Sequence, residues 1–336
     1  MSKRCGMRRY SFEKNRIFTV SIITLTLMFS GCSNENAGKA NKSKETSGST
    51  ETQEQSEKDK KPIETKGPLN VQFGGSVTYS DHHLTVEGKT NLPAGASVFV
   101  NPMALTSVTL MGTSGPTEVR QDGSFVYETE IPEEYEYGLN VKIRFRPEDQ
   151  TSESIKRKYG EFGKKLKGSF VRLYAINEKV SRQASTTLYM PLKENGSATT
   201  EIVKPDWEKP DDYGNTNIRM EADVRYNKKF VFIKGKSNLI EGSQLDISVL
   251  TPEGSLSGSG DKVRVNPDGS FRVQIENPSD IKKLSNYTVR LKFAPSPYSW
   301  DNIVDKYGES GQKMTGKLVE KNSVGEKKAF LKVKLN

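Results

Sequence analysis

Cysteine is almost absent from this chain of 336 residues: only Cys5 and Cys32 occur, both near the N-terminus. A disulfide framework and a cysteine metal site are therefore excluded from everything beyond residue 32. Histidine is as scarce, and His82 and His83 are adjacent. Neighbours on a strand point to opposite faces, so regular β geometry does not let this pair chelate one ion. Neither a Walker A loop nor a dinucleotide fingerprint is present, and no Gly-x-Ser-x-Gly elbow joins a strand to a helix. Gly258-Ser259-Gly260 reads as a Ser/Gly turn. Glu161 and Glu309, like Asp122 and Asp268, occupy equivalent places in two different halves of the chain, too far apart for a carboxylate pair working across one cleft. These absences argue against an enzyme and against any metal or cofactor.

Long apolar runs are missing too, apart from Ile17 to Phe29. That run is shorter than the roughly 20 residues of a spanning helix. It follows a basic stretch (Lys3, Arg4, Arg8, Arg9, Lys14, Arg16) and precedes small Ser30 and Gly31. This is the pattern of a signal peptide over residues 1–31. Phe29-Ser30-Gly31-Cys32 resembles the lipobox of bacterial lipoproteins. The resemblance implies cleavage before Cys32, a diacylglyceryl group on its sulfur, and an extracytoplasmic place on the cell membrane. Two acyl chains meet the requirement for stable anchoring.

Residues 32–68 hold the lipidation candidate Cys32 and then almost no large apolar side chain, with seven Lys against seven Asp plus Glu. Such a stretch cannot bury enough surface to offset its ordering entropy and reads as a disordered tether. Its root-mean-square reach is about 30–35 Å. Long polar spacers of this kind resemble those of Gram-positive lipoproteins.

Beyond Pro68 the chain repeats at an offset of 146–148 residues. Gly88-Lys89-Thr90-Asn91-Leu92 returns as Gly235-Lys236-Ser237-Asn238-Leu239. Asp122-Gly123-Ser124-Phe125 returns as Asp268-Gly269-Ser270-Phe271. Leu139 to Pro147 returns as Tyr287 to Pro295, and Lys158-Tyr159-Gly160-Glu161 as Lys306-Tyr307-Gly308-Glu309. A repeat of this size means tandem domains, at 69–200 and 216–336, joined by residues 201–215. Trp207, between Pro205 and Pro210, is expected to wedge the two together.

Period-two alternation predicts strands at 83–87, 125–130, 140–146, 187–192, 230–234, 245–249, 271–276, 287–293 and 330–335. The two Asp-Gly pairs predict hairpin turns. Residues 152–159 and 298–307 have helical spacing, each closed by a Gly. The fold class is therefore mainly all-β: two tandem β-sandwiches, each with a short helix inserted. The order of these motifs resembles bacterial extracellular immunoglobulin-like domains, a resemblance that implies the sandwich and no particular activity.

The formal net charge of +9 overstates the exported protein, because removing residues 1–31 leaves +4. The densest basic cluster is Lys156, Arg157 and Lys158 with Lys164, Lys165 and Lys167. It is the candidate contact for an anionic cell-wall polymer or for phospholipid headgroups. Nucleic acid is not an expected partner outside the cytoplasm. The expectation is a lipid-anchored, non-catalytic surface module that binds a protein partner or a wall polymer. The alternatives are an accessory subunit of a transporter or sensor and, with less support, a hydrolase of wall material.

Overall fold

The computed structural model describes residues 68–106, 108–135, 137–176, 179–191, 197–252, 254–277 and 287–335, without the side chains of 255–259. The expected signal segment, Cys32 and the tether as far as residue 67 lie outside the described residues. So does position 192 at the end of one expected strand.

In the first repeat the chain runs β1 (Phe73–Ser80), β2 (His83–Thr90), β3 (Ser97–Ala104), β4 (Gly115–Glu118), β5 (Ser124–Glu130), β6 (Leu139–Phe145), α1 (Glu153–Tyr159), β7 (Val171–Ile176), β8 (Lys179–Met190) and β9 (Ala198–Glu201). The second runs β10 (Met220–Tyr226), β11 (Phe230–Ser237), β12 (Gln244–Thr251), β13 (Gly254–Arg264), β14 (Ser270–Glu276), β15 (Thr288–Phe293), α2 (Asp301–Tyr307), β16 (Val319–Lys321) and β17 (Lys327–Lys334). The sheets are ordered β5-β2-β1-β9 against β4-β3-β6-β8-β7, and β10-β11-β14 against β13-β12-β15-β17-β16. Each repeat is an all-β sandwich, and all the strand pairings are antiparallel. Strands β1, β2 and β5 facing β4, β3, β6 and β8 follow the A-B-E against C′-C-F-G connectivity of immunoglobulin-like sandwiches. The helix and β7 are the insertion between the last two of these strands.

The alternating residues of facing sheets meet in one core per repeat. Val77, Val86, Phe125, Val98, Val141 and Ile143 belong to the first, and Ile233, Phe271, Leu245, Ile247, Val289 and Leu291 to the second. Burying each such side chain contributes roughly 1.5–3 kcal/mol. The first core extends to Ala198 and Ile202, so the sandwich runs past the expected boundary at residue 200.

The repeated motifs hold the sandwich's corners. Asn91 accepts the Gln72 N–H at 2.9 Å and donates to the Asn70 carbonyl at 2.7 Å. Asn238 does the same for the Arg219 N–H and the Asn217 carbonyl, at 2.9 and 2.8 Å. Each Asn thus staples the lead-in segment to the end of the second strand. Asp122 and Asp268 accept the N–H of Ser124 and Ser270, both at 3.0 Å. Gly123 and Gly269 sit at φ of 79° and 81°. The Asp-Gly turns are present, but they join strands of opposite sheets and are not hairpins. The tight hairpin turn is made instead by Asp81 and His82, both at positive φ, between β1 and β2. Gly258 to Gly260, expected as a turn, lies within β13.

Helices α1 and α2 fall where spacing predicts, with Ile155 and Tyr159, or Ile303 and Tyr307, on the buried side. Gly160 and Gly308 close them at φ of 77° and 83°. Among the described residues no helix is long and apolar enough to cross a membrane.

Candidate functional site: a cationic cleft where the repeats meet

Both repeats belong to one compact unit, Lys60–Asn336. They dock through β7 and the start of β8, where Leu173 and Ala175 of the one and Val180 of the other pack against the second repeat's core. Arg172 donates from Nε to Glu241 Oε1 at 3.1 Å and from a terminal nitrogen to Asn266 Oδ1 at 2.8 Å. The Leu173 N–H reaches the same Glu241 oxygen at 2.8 Å. A ring contact of Tyr137 on Phe230, centroids 5.6 Å apart, adds to the seam. Trp207 in the connector donates Nε1–H to the Ser169 carbonyl at 2.6 Å and lies under the Arg172 guanidinium. The Tyr213 hydroxyl, further along, accepts the Glu241 N–H at 2.8 Å. The connector is thus anchored on both sides.

Docking leaves a cleft of about 810 Å³ between the outer face of the β6-β8-β7 sheet and the β13-β14 side of the second repeat. Among the described residues its charged lining consists of Lys142, Arg146, Arg172, Lys204, Arg264 and Arg272, with no Asp or Glu. Of these six, Arg172 alone has an ion pair within 4 Å among the described residues. The three other arginines are held by neutral groups. Arg146 donates to Gln183 Oε1 at 2.8 Å and lies 4.0 Å over the Tyr174 ring. Arg264 lies 4.1 Å over Trp300 and donates to the Gly242 carbonyl at 2.9 Å, while Arg272 sits 5.9 Å over Tyr189.

The electrostatics follow from this arrangement. Burial, reinforced by the positive fields of Arg146, Arg144 and Arg172, pushes the Lys142 ammonium down to about 8. Gln183 and Ser185, which line the cleft, are themselves buried. Tyr174 also lines the cleft, and its buried hydroxyl has no hydrogen-bond partner among the described residues. Such a lining, donors with few acceptors, suits an anionic ligand.

The six basic residues singled out from the sequence lie elsewhere, and none of them lines the cleft. Lys156 pairs with Glu153 at 2.7 Å and Lys164 with Glu161 at 3.7 Å. Arg157, Lys165 and Lys167 are exposed, and the Lys165 ammonium reaches the Arg157 carbonyl at 3.4 Å. Lys158 lies half-buried over the Tyr159 ring at 5.2 Å. His82 serves the β1–β2 turn, its Nδ1 3.3 Å from the Tyr79 hydroxyl. Among the described residues no group of three or more His, Cys, Asp or Glu is placed to hold a metal.

No protein-family model matches this chain, and no curated protein does. Seven solved chains match. One is a 1.5-MDa bacterial ice-binding adhesin, studied for its retention at the host cell surface, at 9% identity and a TM-score of 0.18 over 75% of this chain and 56% of that one. Another is dimeric latent PorU from Porphyromonas gingivalis, at 9% identity and 0.18, over 66% of this chain and 32% of that. A third is the multi-modular glycogen-degrading pneumococcal virulence factor SpuA, at 8% identity and 0.17, over 65% and 26%. This chain thus spans between about a quarter and just over half of these proteins' length. Likeness at this level carries neither fold nor function across.

Proposed function

We propose that this protein is a lipid-anchored, extracytoplasmic recognition module without catalysis, and that the cleft between its repeats is where it meets its ligand, a surface protein or a wall polymer. The observation that carries the reading is the cleft itself: about 810 Å³, walled by both repeats, with six cations and no carboxylate among the described residues of its lining. A volume in this range accommodates a ligand of several ring-sized units. The anchor would be Cys32, with residues 33–68 holding the cleft away from the bilayer. The exposed part of the Lys156–Lys167 cluster is a second cationic surface, partly neutralised by Glu153 and Glu161.

In-cell photo-crosslinking tests this. A crosslinking residue at Thr187, inside the cleft, is compared with one at Lys321, an exposed position outside it. One dominant adduct from Thr187 alone supports the reading. No adduct from Thr187, or equal adducts from both positions, overturns it.

A further inference from the structure

The two repeats are copies of one sandwich, so each position in the cleft wall has an internal control. On the second repeat's sheet, Lys292 lies opposite Asp246 in register and pairs with it at 3.0 Å. The equivalent pair in the first repeat is Arg144 opposite Phe99, with the guanidinium 4.3 Å over the ring. The first copy has thus replaced the cross-strand carboxylate by a ring, and Arg144 pairs with Asp149 instead, at 3.7 Å. One pair along the same face, Lys142 lies opposite Asn101 where the second repeat has Arg290 opposite Ser248. Just past the strand, Arg146 stands where the second repeat has Ala294.

The neighbouring strand shows the complementary change. Ser185 and Thr187 of β8 lie beside Arg144 and Lys142, whereas β17 places Phe330 and Lys332 beside Lys292 and Arg290. Small hydroxyl side chains leave the floor open where the second copy fills it. On this sheet two cations that line the cleft, Lys142 and Arg146, have no carboxylate within 4 Å among the described residues. Partly buried cations without a counter-charge are costly, and Lys142 and Arg146 are of this kind. Stacking on Tyr174, Trp300 and Tyr189 orients Arg146, Arg264 and Arg272 without neutralising them.

We propose, resting on the reading above, that the cleft binds an anionic glycan chain, one whose sugars or polyols carry phosphate or carboxylate groups along their length. Lys142 and Arg146 on one wall and Arg264 and Arg272 on the other supply the charge that the protein leaves unmatched. Gln183, Ser185 and Thr187 between them suit the hydroxyl groups of the same chain. Arg172 is excluded from this role, because Glu241 and Asn266 already hold it as the latch of the seam.

The test is calorimetric titration of the full chain in detergent with polyglycerol phosphate, polygalacturonate and uncharged dextran. Binding of one or both anionic polymers, weakened by salt and absent with dextran, is expected, and the two anionic arms separate phosphate from carboxylate recognition. The double variant Lys142→Met, Arg272→Gln is expected to lose affinity about tenfold or more. A Lys164→Gln, Lys167→Gln control is expected to bind as the parent does. If the double variant melts early, Arg264→Gln, at an exposed position, takes its place. Failure of both anionic polymers to bind overturns the proposal, as does binding that survives in the cleft variants or is lost in the control. Crosslinking of a protein from Thr187 without polymer binding would sink the ligand class and leave the binding module standing.

Discussion

Tyr159 and Tyr307 show how one side chain is set by its neighbour. Both close their helices against a core phenylalanine, with centroids 5.0 and 5.1 Å from Phe145 and Phe293. The Ile240 N–H donates to the Tyr307 hydroxyl at 3.2 Å. The first repeat has Pro93 at that place, and proline has no N–H. The Tyr159 hydroxyl is accordingly buried without a partner among the described residues, and burial pushes its titration far up, while that of Tyr307 is pushed to about 12. Tyr307→Phe is therefore expected to cost about 1–2 kcal/mol, and Tyr159→Phe to be neutral or slightly stabilising. Denaturant midpoints of the two variants would decide, and equal losses would refute the argument. Lys142 makes the pH-dependent counterpart. Its amine is depressed from 10.5 to about 8, so between those values the unfolded chain holds a proton that the folded chain lacks. Stability contributed at this site rises with pH across that window, and below about 8 its penalty is complete. Unfolding titrations from neutral to alkaline pH should show a rise in the parent that Lys142→Met does not share.

Elements were legible in the sequence wherever one face meets the core and the other meets water. Strands β2, β6, β12, β14 and β15 alternate cleanly for this reason. Strand β7 does not, because its outer face is covered by the second repeat and both sides are partly buried. Strand β3 carries Pro102 and β13 is rich in Ser and Gly, compositions that read as breaks. The Asp-Gly turns were recognisable from their chemistry, but their role as links between sheets was not, since a turn's residues do not say which strands it serves. At Gly269 a Cβ would press on the Ser237 carbonyl, and φ is already 81°. Gly269→Ala should therefore destabilise the second repeat by about 1–2 kcal/mol or more, measured as a lower melting midpoint.

At the scale of the whole molecule, the latch decides whether the cleft exists. Glu241 accepts from both the Arg172 side chain and the Leu173 backbone, and neither group has another carboxylate at hand. Glu241→Ala leaves both donors unpaired at the seam and is expected to cost about 1–3 kcal/mol. Calorimetry should show one cooperative transition in the parent that drops or separates into two in the variant. An unchanged single transition would mean that the β7 contacts suffice alone. The anchoring proposal has its own test. Cys32→Ala is expected to move the protein out of the membrane fraction or to block its maturation, and a variant still membrane-bound at its normal size would point to an uncleaved anchor.

The candidate site was only partly legible. Its signal lay in the repeat itself, where Arg146 replaces Ala294, a difference visible once the copies are aligned. Read singly, the dense run at Lys156–Lys167 drew attention because sequence proximity imitates spatial clustering. What the sequence determined by itself is local: the repeat, the strand period, the turn chemistry and the helix caps, all of which act within a few residues. Which faces meet was decided by the tertiary structure. The outward residues of β6 and β8 have the composition of an ordinary solvated face. They became the wall of a cationic cleft only when the second repeat docked on β7 and took them partly out of water.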